Sequence, residues 1–205
     1  TFAMAWRKLA VVLPQAGNFG AAEASDAAKR AYQFRDRLPA VERGLTEAYY
    51  HNIVTGDQEK TEAAYRAVLA VNPDEPTSLN NLGLMLTAQG KAAEAEPLLR
   101  RLVRTTPMQS GLLNLFTALD AQGKTAAADS VLAEFRRQYP ESTRPDEMLR
   151  FRHYMRRDFR AADSLLRDPA FSAPATPGEQ IRLQFELVSV ATVLGRLTES
   201  KRLAT

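Results

Sequence analysis

The chain has 205 residues, one quarter of them charged, with a net charge of +3 and no cysteine. A chain of this length can bury a stable core without metals or disulfides, and the lack of cysteine excludes a disulfide framework and a thiol nucleophile. The charge bias does not by itself indicate a nucleic-acid ligand, and the longest apolar run near the start, Leu9 to Leu13, is far shorter than the ~20 residues of a membrane span, which predicts no membrane insertion by this segment.

The first predicted element is a pair of helices. The stretches TFAMAWRKLAVVL and EASDAAKRAYQF space their apolar residues as helices do, and a turn lengthened by PQAGNFGA connects them. The two glycines of this turn do not form a phosphate-binding loop, because the lysine and the preceding strand of such a loop are missing.

The following pairs share a regular spacing of glycine and proline. Three glycines recur at nearly equal intervals, and a proline follows each of them at the same distance along the chain. The glycines are Gly56, Gly90 and Gly123, and the prolines are Pro73, Pro107 and Pro140. Glycine ends a helix easily at positive φ, and proline prevents the next helix from continuing. The unit is therefore helix, tight turn, helix and stop, and stacked copies bury the faces that one pair leaves exposed.

The same spacing continues towards the end of the chain. We take the interval from Gly56 to Gly90 as the repeat length. AADSVL at 127–132 recurs one repeat length later as AADSLL at 161–166, Pro174 follows Pro140 by the same interval, and Arg157 stands where the other turns have glycine. EQIRLQFELVSVATVLGRL begins a longer sixth pair with Gly195 as its turn, and TESKRLAT covers part of its second helix. The six predicted pairs cover residues 1–39, 40–73, 74–107, 108–140, 141–174 and 175–205. Because the chain starts with threonine and ends inside a helical pattern, we expect it to be a piece of a longer protein.

A helix pair of this length with Leu82, Gly83, Gly90, Ala95 and Pro107 in these relative places resembles the tetratricopeptide repeat (TPR) family. The resemblance is strongest over residues 43–174. It implies an all-α fold, a right-handed TPR superhelix (α-solenoid) of about six helix pairs. In such a fold the first helices line a concave groove and the second helices form the outer surface.

A second resemblance concerns the protein to which these repeats belong. The order of FAMAWRKLA, AAKRAYQFRDRLPAVERGLTEAYYH and TGDQEKTEAAYRAVLAVNP is similar to the TPR region that follows the catalytic or DNA-binding part of bacterial signalling proteins. Serine/threonine kinases are the commonest such context, and winged-helix regulators and nucleotide cyclases share it. This implies a regulatory or sensing segment. Its localisation stays open, cytoplasmic or, with an upstream membrane span, extracytoplasmic.

The sequence gives no indication of catalysis within these residues. The two histidines, His51 and His153, are about three repeats apart, and neither belongs to a metal-ligand spacing. We therefore expect no catalytic residue, no metal site and no cofactor.

The concave groove is the candidate binding site. The resemblance places there one stripe of each first helix, with Tyr50, Ile53, Asn80, Asn81, Leu84, Thr87, Asn114, Thr117, Arg144 and Tyr154 as its members and Phe151 beside them. Paired asparagines can donate to and accept from the main chain of an extended peptide at once. In the alternative interpretation, Asn80 and Asn81 cap or flank their helix and the aromatic side chains belong to the core.

Two more specific binding modes have only partial matches in the sequence. Asn114 and Arg144 match two positions of the TPR carboxylate clamp. Asn80, Leu84 and Met148 stand where the clamp has lysine, asparagine and a basic residue, so the clamp is incomplete and we do not predict a chaperone-tail adaptor. The stretch LRFRHYMRRDFR, 149–160, interleaves arginines with aromatic residues, as nucleic-acid sites do. Its arginines spread over more than one helix face among acidic residues. We therefore favour a solvated face, then an acidic protein partner, and nucleic acid last.

The sequence thus predicts a non-catalytic scaffold that binds an unidentified protein or peptide in its groove. Self-association into a homodimer is the alternative. Apolar residues near the two ends of the chain would form that interface, and they are Trp6, Leu9, Val12, Leu194 and Leu203.

Overall fold

The computed structural model describes residues 2–13, 21–168 and 176–204. Over these residues the chain forms helices and no strand, which confirms the all-α prediction. Residues 14–20 of the predicted long turn, and Pro174, lie outside the described residues.

The described helices follow one another in pairs, and short turns join the two helices of each pair from the second pair onwards. They are α1 Phe2–Val12, α2 Ala21–Gln33, α3 Ala40–Tyr50, α4 Gln58–Val71, α5 Pro76–Ala88, α6 Ala92–Thr105, α7 Gln109–Ala121, α8 Thr125–Gln138, α9 Arg144–Met155, α10 Phe159–Arg167, α11 Pro177–Val193 and α12 Leu197–Leu203. A 3-10 turn, Arg35–Arg37, precedes α3, and a π-helical turn, His51–Thr55, extends its end.

The turns that follow α3, α5, α7, α9 and α11 each contain a residue in the left-handed backbone region. The angle φ is +67° at Gly56, +77° at Gly90, +71° at Gly123 and +74° at Gly195. The turn between α9 and α10 has Arg157 at +57°, so the repeat geometry is kept there by a residue whose Cβ disfavours it.

Acidic side chains fix the starts of α4, α5 and α10, and in α10 Asp158 accepts from the backbone N–H of Ala161 at 3.2 Å. Asp57 accepts a hydrogen bond from the backbone N–H of Lys60 at 3.0 Å, at the start of α4. Glu75 accepts from the backbone N–H groups of Thr77 at 3.1 Å and Ser78 at 2.6 Å, at the start of α5. These bonds satisfy donors that a helix N-terminus leaves without a partner in the helix.

The chain divides into two compact units, Thr1–Val131 and Leu132–Thr205. In the first unit, α5 and α6 pack through leucines that are at most 1% exposed, namely Leu79, Leu82, Leu86, Leu99 and Leu102. Gly83 lies at this contact, where a Cβ atom would stand 2.6 Å from Leu99 Cδ2. The absence of a side chain at Gly83 therefore allows the two helices to approach.

The second unit has its own core between α10 and α11. Four buried residues form it, and they are Ala162, Leu166, Leu183 and Val190. Leu194, which we predicted on an apolar end face, packs against this core. Asp163 beside it accepts hydrogen bonds from Arg167 at 2.9 Å and Arg196 at 2.7 Å. Burial would raise the pKa of Asp163, but these two guanidinium groups hold it below its usual value.

Candidate peptide-binding surfaces

Three predicted groove residues form a hydrogen-bonded chain in the first unit. Asn114 Nδ2 donates to Asn80 Oδ1 at 3.0 Å, Asn80 Nδ2 donates to Asn81 Oδ1 at 3.0 Å, and Asn81 Nδ2 donates to the Tyr65 hydroxyl at 3.1 Å. We call these four side chains the asparagine ladder. The cap of α5 is Glu75, so the asparagines link neighbouring helices rather than capping their own.

Within the described residues, the acceptor Asn114 Oδ1 at one end of the asparagine ladder is unbonded. At the other end the hydroxyl hydrogen of Tyr65 is likewise unbonded within those residues, and this largely buried side chain borders a cavity. Burial raises the pKa of Tyr65, so this hydroxyl keeps its hydrogen at neutral pH. The ladder can therefore accept from an N–H group at one end and donate to a carbonyl at the other.

A cavity of about 300 Å³ adjoins the asparagine ladder. Tyr65 and Asn81 line it together with Leu84, another predicted groove residue, whose surface is 49% exposed. The cavity and the ladder thus place an apolar contact beside the polar groups.

The two predicted threonines contribute less to this surface. Thr87 donates its hydroxyl hydrogen to the carbonyl of Gly83 at 2.8 Å, and Thr117 donates to the carbonyl of Leu113 at 2.9 Å. Because both hydroxyl hydrogens are donated within their own helices, each hydroxyl can accept a hydrogen bond from a ligand but has no hydrogen left to donate.

Tyr50 and Ile53 lie at the end of α3, in a different environment from the ladder. The Tyr50 ring stacks on Tyr32, with 3.9 Å between ring centroids, and His51 contacts both rings by its edge. This stack joins α3 to α2 and uses one face of Tyr50. Ile53 belongs to the π-helical turn and is partly exposed.

The remaining predicted residues belong to the second unit. Tyr154 lines a cavity of about 620 Å³ between α9 and α11. Met148, Phe151 and Phe185 form apolar walls of the same cavity, which we call the aromatic pocket. Arg144 lies at the start of α9, outside the lining, and its side chain is exposed.

Two ion pairs connect the helices on either side of the aromatic pocket. Arg150 Nε lies 3.2 Å from Glu186 Oε2, and Arg182 Nη2 lies 2.7 Å from Glu147 Oε1. Burial would raise the pKa of Glu147, but Arg182, Arg144 and Arg150 hold it below its usual value. Burial and the charge of Glu186 raise the pKa of Tyr154 to about 12. The two ion pairs therefore hold the walls of the pocket together, and the charges of its two arginines and two glutamates balance.

Sequence and structural comparisons identify the repeat. Residues 57–109 match the sequence profile of the Tetratricopeptide repeat family. The structure is similar to that of a tetratricopeptide repeat protein from Parabacteroides merdae, with a TM-score of 0.69 and 13% identity over 97% of this chain and 74% of that chain. The chain has the TPR fold.

Two other solved structures share the TPR fold with this chain. One is PilW, described as a widely conserved type IV pilus biogenesis factor, with a TM-score of 0.69 and 15% identity over 98% of this chain and 90% of PilW. The other is PilF of Pseudomonas aeruginosa, with a TM-score of 0.65 and 18% identity over 98% of this chain and 88% of PilF. A comparison with curated proteins gave no significant match. At these identities the likeness establishes the fold and does not extend to a ligand.

The residues on the α11 side of the aromatic pocket were not among the predicted site residues. Phe185 follows Phe151 by one repeat length, so the repeat spacing could have predicted that the two rings occupy equivalent positions on neighbouring first helices. The ion pair of Arg182 with Glu147 has no such signal, because it depends on how α9 and α11 pack.

The described residues contain neither a metal-binding cluster nor a membrane-spanning helix. Across residues 2–13, 21–168 and 176–204, no group of three or more His, Asp or Glu side chains is arranged to hold a metal ion. No helix in those ranges is both long and apolar enough to span a bilayer.

Proposed function

We propose that this TPR chain is a non-catalytic interaction scaffold that binds a protein or peptide along the exposed faces of its first helices. The asparagine ladder carries the proposal. Its unbonded ends, Asn114 Oδ1 and the Tyr65 hydroxyl, complement the N–H and C=O groups of an extended main chain. Since every peptide has these groups, the ladder would supply affinity that depends little on ligand sequence.

The cavity beside the ladder supports the same proposal. Leu84 is half exposed on the wall of the 300 Å³ space, next to Asn81. A ligand side chain placed there would bury apolar surface while its main chain bonds to the ladder. A polar ladder combined with an apolar recess is the composition expected of a peptide site.

The experiment is peptide selection followed by affinity measurement. A random-peptide display library is panned on the immobilised chain, and recovered peptides are titrated by fluorescence polarisation. The variant Asn80→Ala with Asn114→Ala should weaken binding about tenfold, because it removes hydrogen-bonding groups worth about 1 kcal/mol each. The control is Ser130→Ala on α8, whose hydroxyl bonds only to the carbonyl of Ala126 within its own helix.

Two results would contradict the proposal. One is a selection that recovers no binding peptide for the intact chain. The other is unchanged affinity in the double variant for every recovered peptide. Circular dichroism of the variants separates loss of binding from loss of folding.

We further propose, on the sequence resemblance, that the chain is the regulatory or sensing segment of a bacterial signalling protein such as a serine/threonine kinase. Sequencing the gene upstream of these residues tests this directly. A kinase, winged-helix or cyclase domain there would support the proposal. An upstream region without a catalytic or DNA-binding domain would refute it.

Self-association is the second candidate, and exposed apolar residues of α1 favour it. Phe2, Leu9 and Val12 are exposed, whereas Trp6 packs on the small α1–α2 core with Arg30 4.7 Å above its ring. Light scattering across a dilution series distinguishes the candidates. A mass that doubles with concentration and returns to that of a monomer in Leu9→Ser with Val12→Ser would support self-association, and a constant monomer mass would exclude it.

A further inference from the structure

The aromatic pocket of the second unit combines exposed rings with a defined cavity. Phe151 on α9 and Phe185 on α11 are 56% and 68% exposed, although both are large and apolar. They flank a space of about 620 Å³, within the usual range for a ligand site. The two exposed phenylalanines are one repeat apart and line the same cavity. Exposed apolar side chains grouped in this way are typical of an interaction site.

The walls of the pocket are held in place without a ligand. Two ion pairs, Arg150–Glu186 and Arg182–Glu147, join α9 to α11. Each helix supplies the arginine of one pair and the glutamate of the other. Tyr154 adds a hydrogen bond from its hydroxyl to the carbonyl of Glu186 at 3.4 Å. Arg150 is only 4% exposed, so this connection lies below the surface. Binding to such a preformed pocket loses little free energy to ordering of the protein.

The charge around the pocket selects the type of partner. Residues 132–205 have 13 basic and 10 acidic side chains, while residues 1–131 have 14 of each, so the second unit has the whole net charge of +3. At the pocket, Glu147 and Glu186 are each paired with an arginine. Arg144 makes no ion pair within the described residues, and its exposed positive charge lies near enough to Glu147 of the pocket to help lower the pKa of that carboxyl group.

We infer that the aromatic pocket binds an aromatic side chain of an acidic peptide segment, with acidic neighbours of that side chain facing Arg144. This rests on the proposed function and specifies its ligand. An aromatic anchor would contact the Phe151 and Phe185 rings and the sulfur of Met148, which interact favourably with aromatic edges and faces. The apolar lining formed by Met148, Phe151 and Phe185 suits an aromatic side chain better than a phosphate backbone, so a peptide fits better than a nucleic acid.

The test uses three synthetic fluorescein-labelled peptides and the whole chain. The first has one tryptophan flanked by glutamates, the second has alanine for tryptophan, and the third has lysines for the glutamates. Fluorescence polarisation should show that the first binds at least tenfold more tightly than either of the others. Equal binding of the glutamate and lysine peptides would overturn the inference.

Variants of the chain locate the binding. Phe151→Ala and Phe185→Ala should each weaken binding of the tryptophan–glutamate peptide at least fivefold. Met155→Ala is the matched control, because Met155 is a large apolar residue of α9, 68% exposed, outside the pocket lining. Arg144→Glu leaves the apolar walls intact and should reverse the preference towards the lysine peptide. An unchanged preference in Arg144→Glu would overturn the charge argument even if a phenylalanine variant failed to fold.

The possible results separate this inference from the proposed function. Peptides from the display selection that bind the Phe151→Ala and Phe185→Ala variants as well as the intact chain would leave the scaffold proposal standing and overturn the pocket assignment. No binding by any peptide would refute both. Tighter binding of a labelled oligouridylate than of the acidic peptide, or a dimer mass lost in Phe185→Ala, would assign the pocket to RNA or to a second copy and overturn the inference.

Discussion

Asn114 donates a hydrogen bond to Asn80 at 3.0 Å, and the two residues are 34 positions apart. The sequence period thus appears in space as a direct bond between equivalent first helices, α7 and α5. Such a bond couples neighbouring repeats through polar side chains in addition to the leucine core.

A double-mutant cycle should detect this coupling in the free energy of unfolding. Asn80→Ala and Asn114→Ala should be non-additive by about 1 kcal/mol, because either change alone removes the shared hydrogen bond. Urea denaturation of the four proteins measures the coupling. The pair Asn114→Ala with Ser130→Ala, whose side chains share no bond, should be additive. Additivity in both pairs would mean that the hydrogen bond does not stabilise the fold.

Arg157→Gly should stabilise the second unit. Arg157 has φ of +57°, which is unfavourable by about 1–2 kcal/mol for a residue with a Cβ, while glycine gains some entropy in the unfolded chain. We expect a net gain of about 0.5–1 kcal/mol, measured as a higher urea midpoint. Arg156→Gly is the control, because Arg156 has φ of −82° and gains nothing from glycine. A lower midpoint for Arg157→Gly would show that the arginine side chain stabilises the turn.

The fold was predictable because the repeat is encoded in local residues. Glycine at the turns and proline at the ends act on the backbone within a few residues, so their spacing fixes the helix pairs. Even Arg157, a departure from the glycine pattern, has the same sign of φ because the helices on both sides require it. The family profile and the solved structures confirm the TPR prediction.

The candidate sites were less predictable because they depend on which side chains meet across helices. The sequence pointed to Asn80, Asn81 and Asn114, but not to their common partner Tyr65, which lies on the second helix of the preceding pair. Tyr50 was predicted on the groove, and its ring stacks on Tyr32. Both contacts arise from packing angles that a linear pattern does not contain.

Gly83→Ala should destabilise the first unit through steric overlap. The added Cβ would stand 2.6 Å from Leu99 Cδ2 in a fully packed contact, which predicts a loss of about 1–3 kcal/mol. Gly90→Ala provides a comparison with a different cause. Its Cβ would meet nothing within 4 Å, but φ of +77° makes alanine unfavourable by about 1 kcal/mol.

These two alanine variants can be separated by a second substitution. Leu99→Val with Gly83→Ala should recover part of the lost stability, because the shorter side chain withdraws atoms from the overlap. Leu99→Val should not improve Gly90→Ala. If Leu99→Val lowers the urea midpoint equally in both backgrounds, steric overlap is not the cause at Gly83.

Acid should weaken the first unit through Glu96. Hydrogen bonds from Lys124 at 2.7 Å and Arg100 at 2.8 Å lower the pKa of Glu96 to about 2. Because the folded pKa lies below that of the unfolded chain, this group stabilises the fold above about pH 4.5 and loses that contribution as the pH falls towards 2. Solvent screening limits the contribution to about 1 kcal/mol.

The comparison of Glu96→Gln with Glu59→Gln isolates this effect. Glu59 is exposed on α4 and makes no ion pair within the described residues, so its replacement removes a carboxylate without removing a bond. Urea denaturation at pH 7 and pH 3 should show that the chain and Glu59→Gln lose about the same free energy of unfolding on acidification. Glu96→Gln should start lower at pH 7 and lose less, because its amide does not titrate. An equal loss in all three proteins would mean that Lys124 and Arg100 do not stabilise the Glu96 carboxylate in solution.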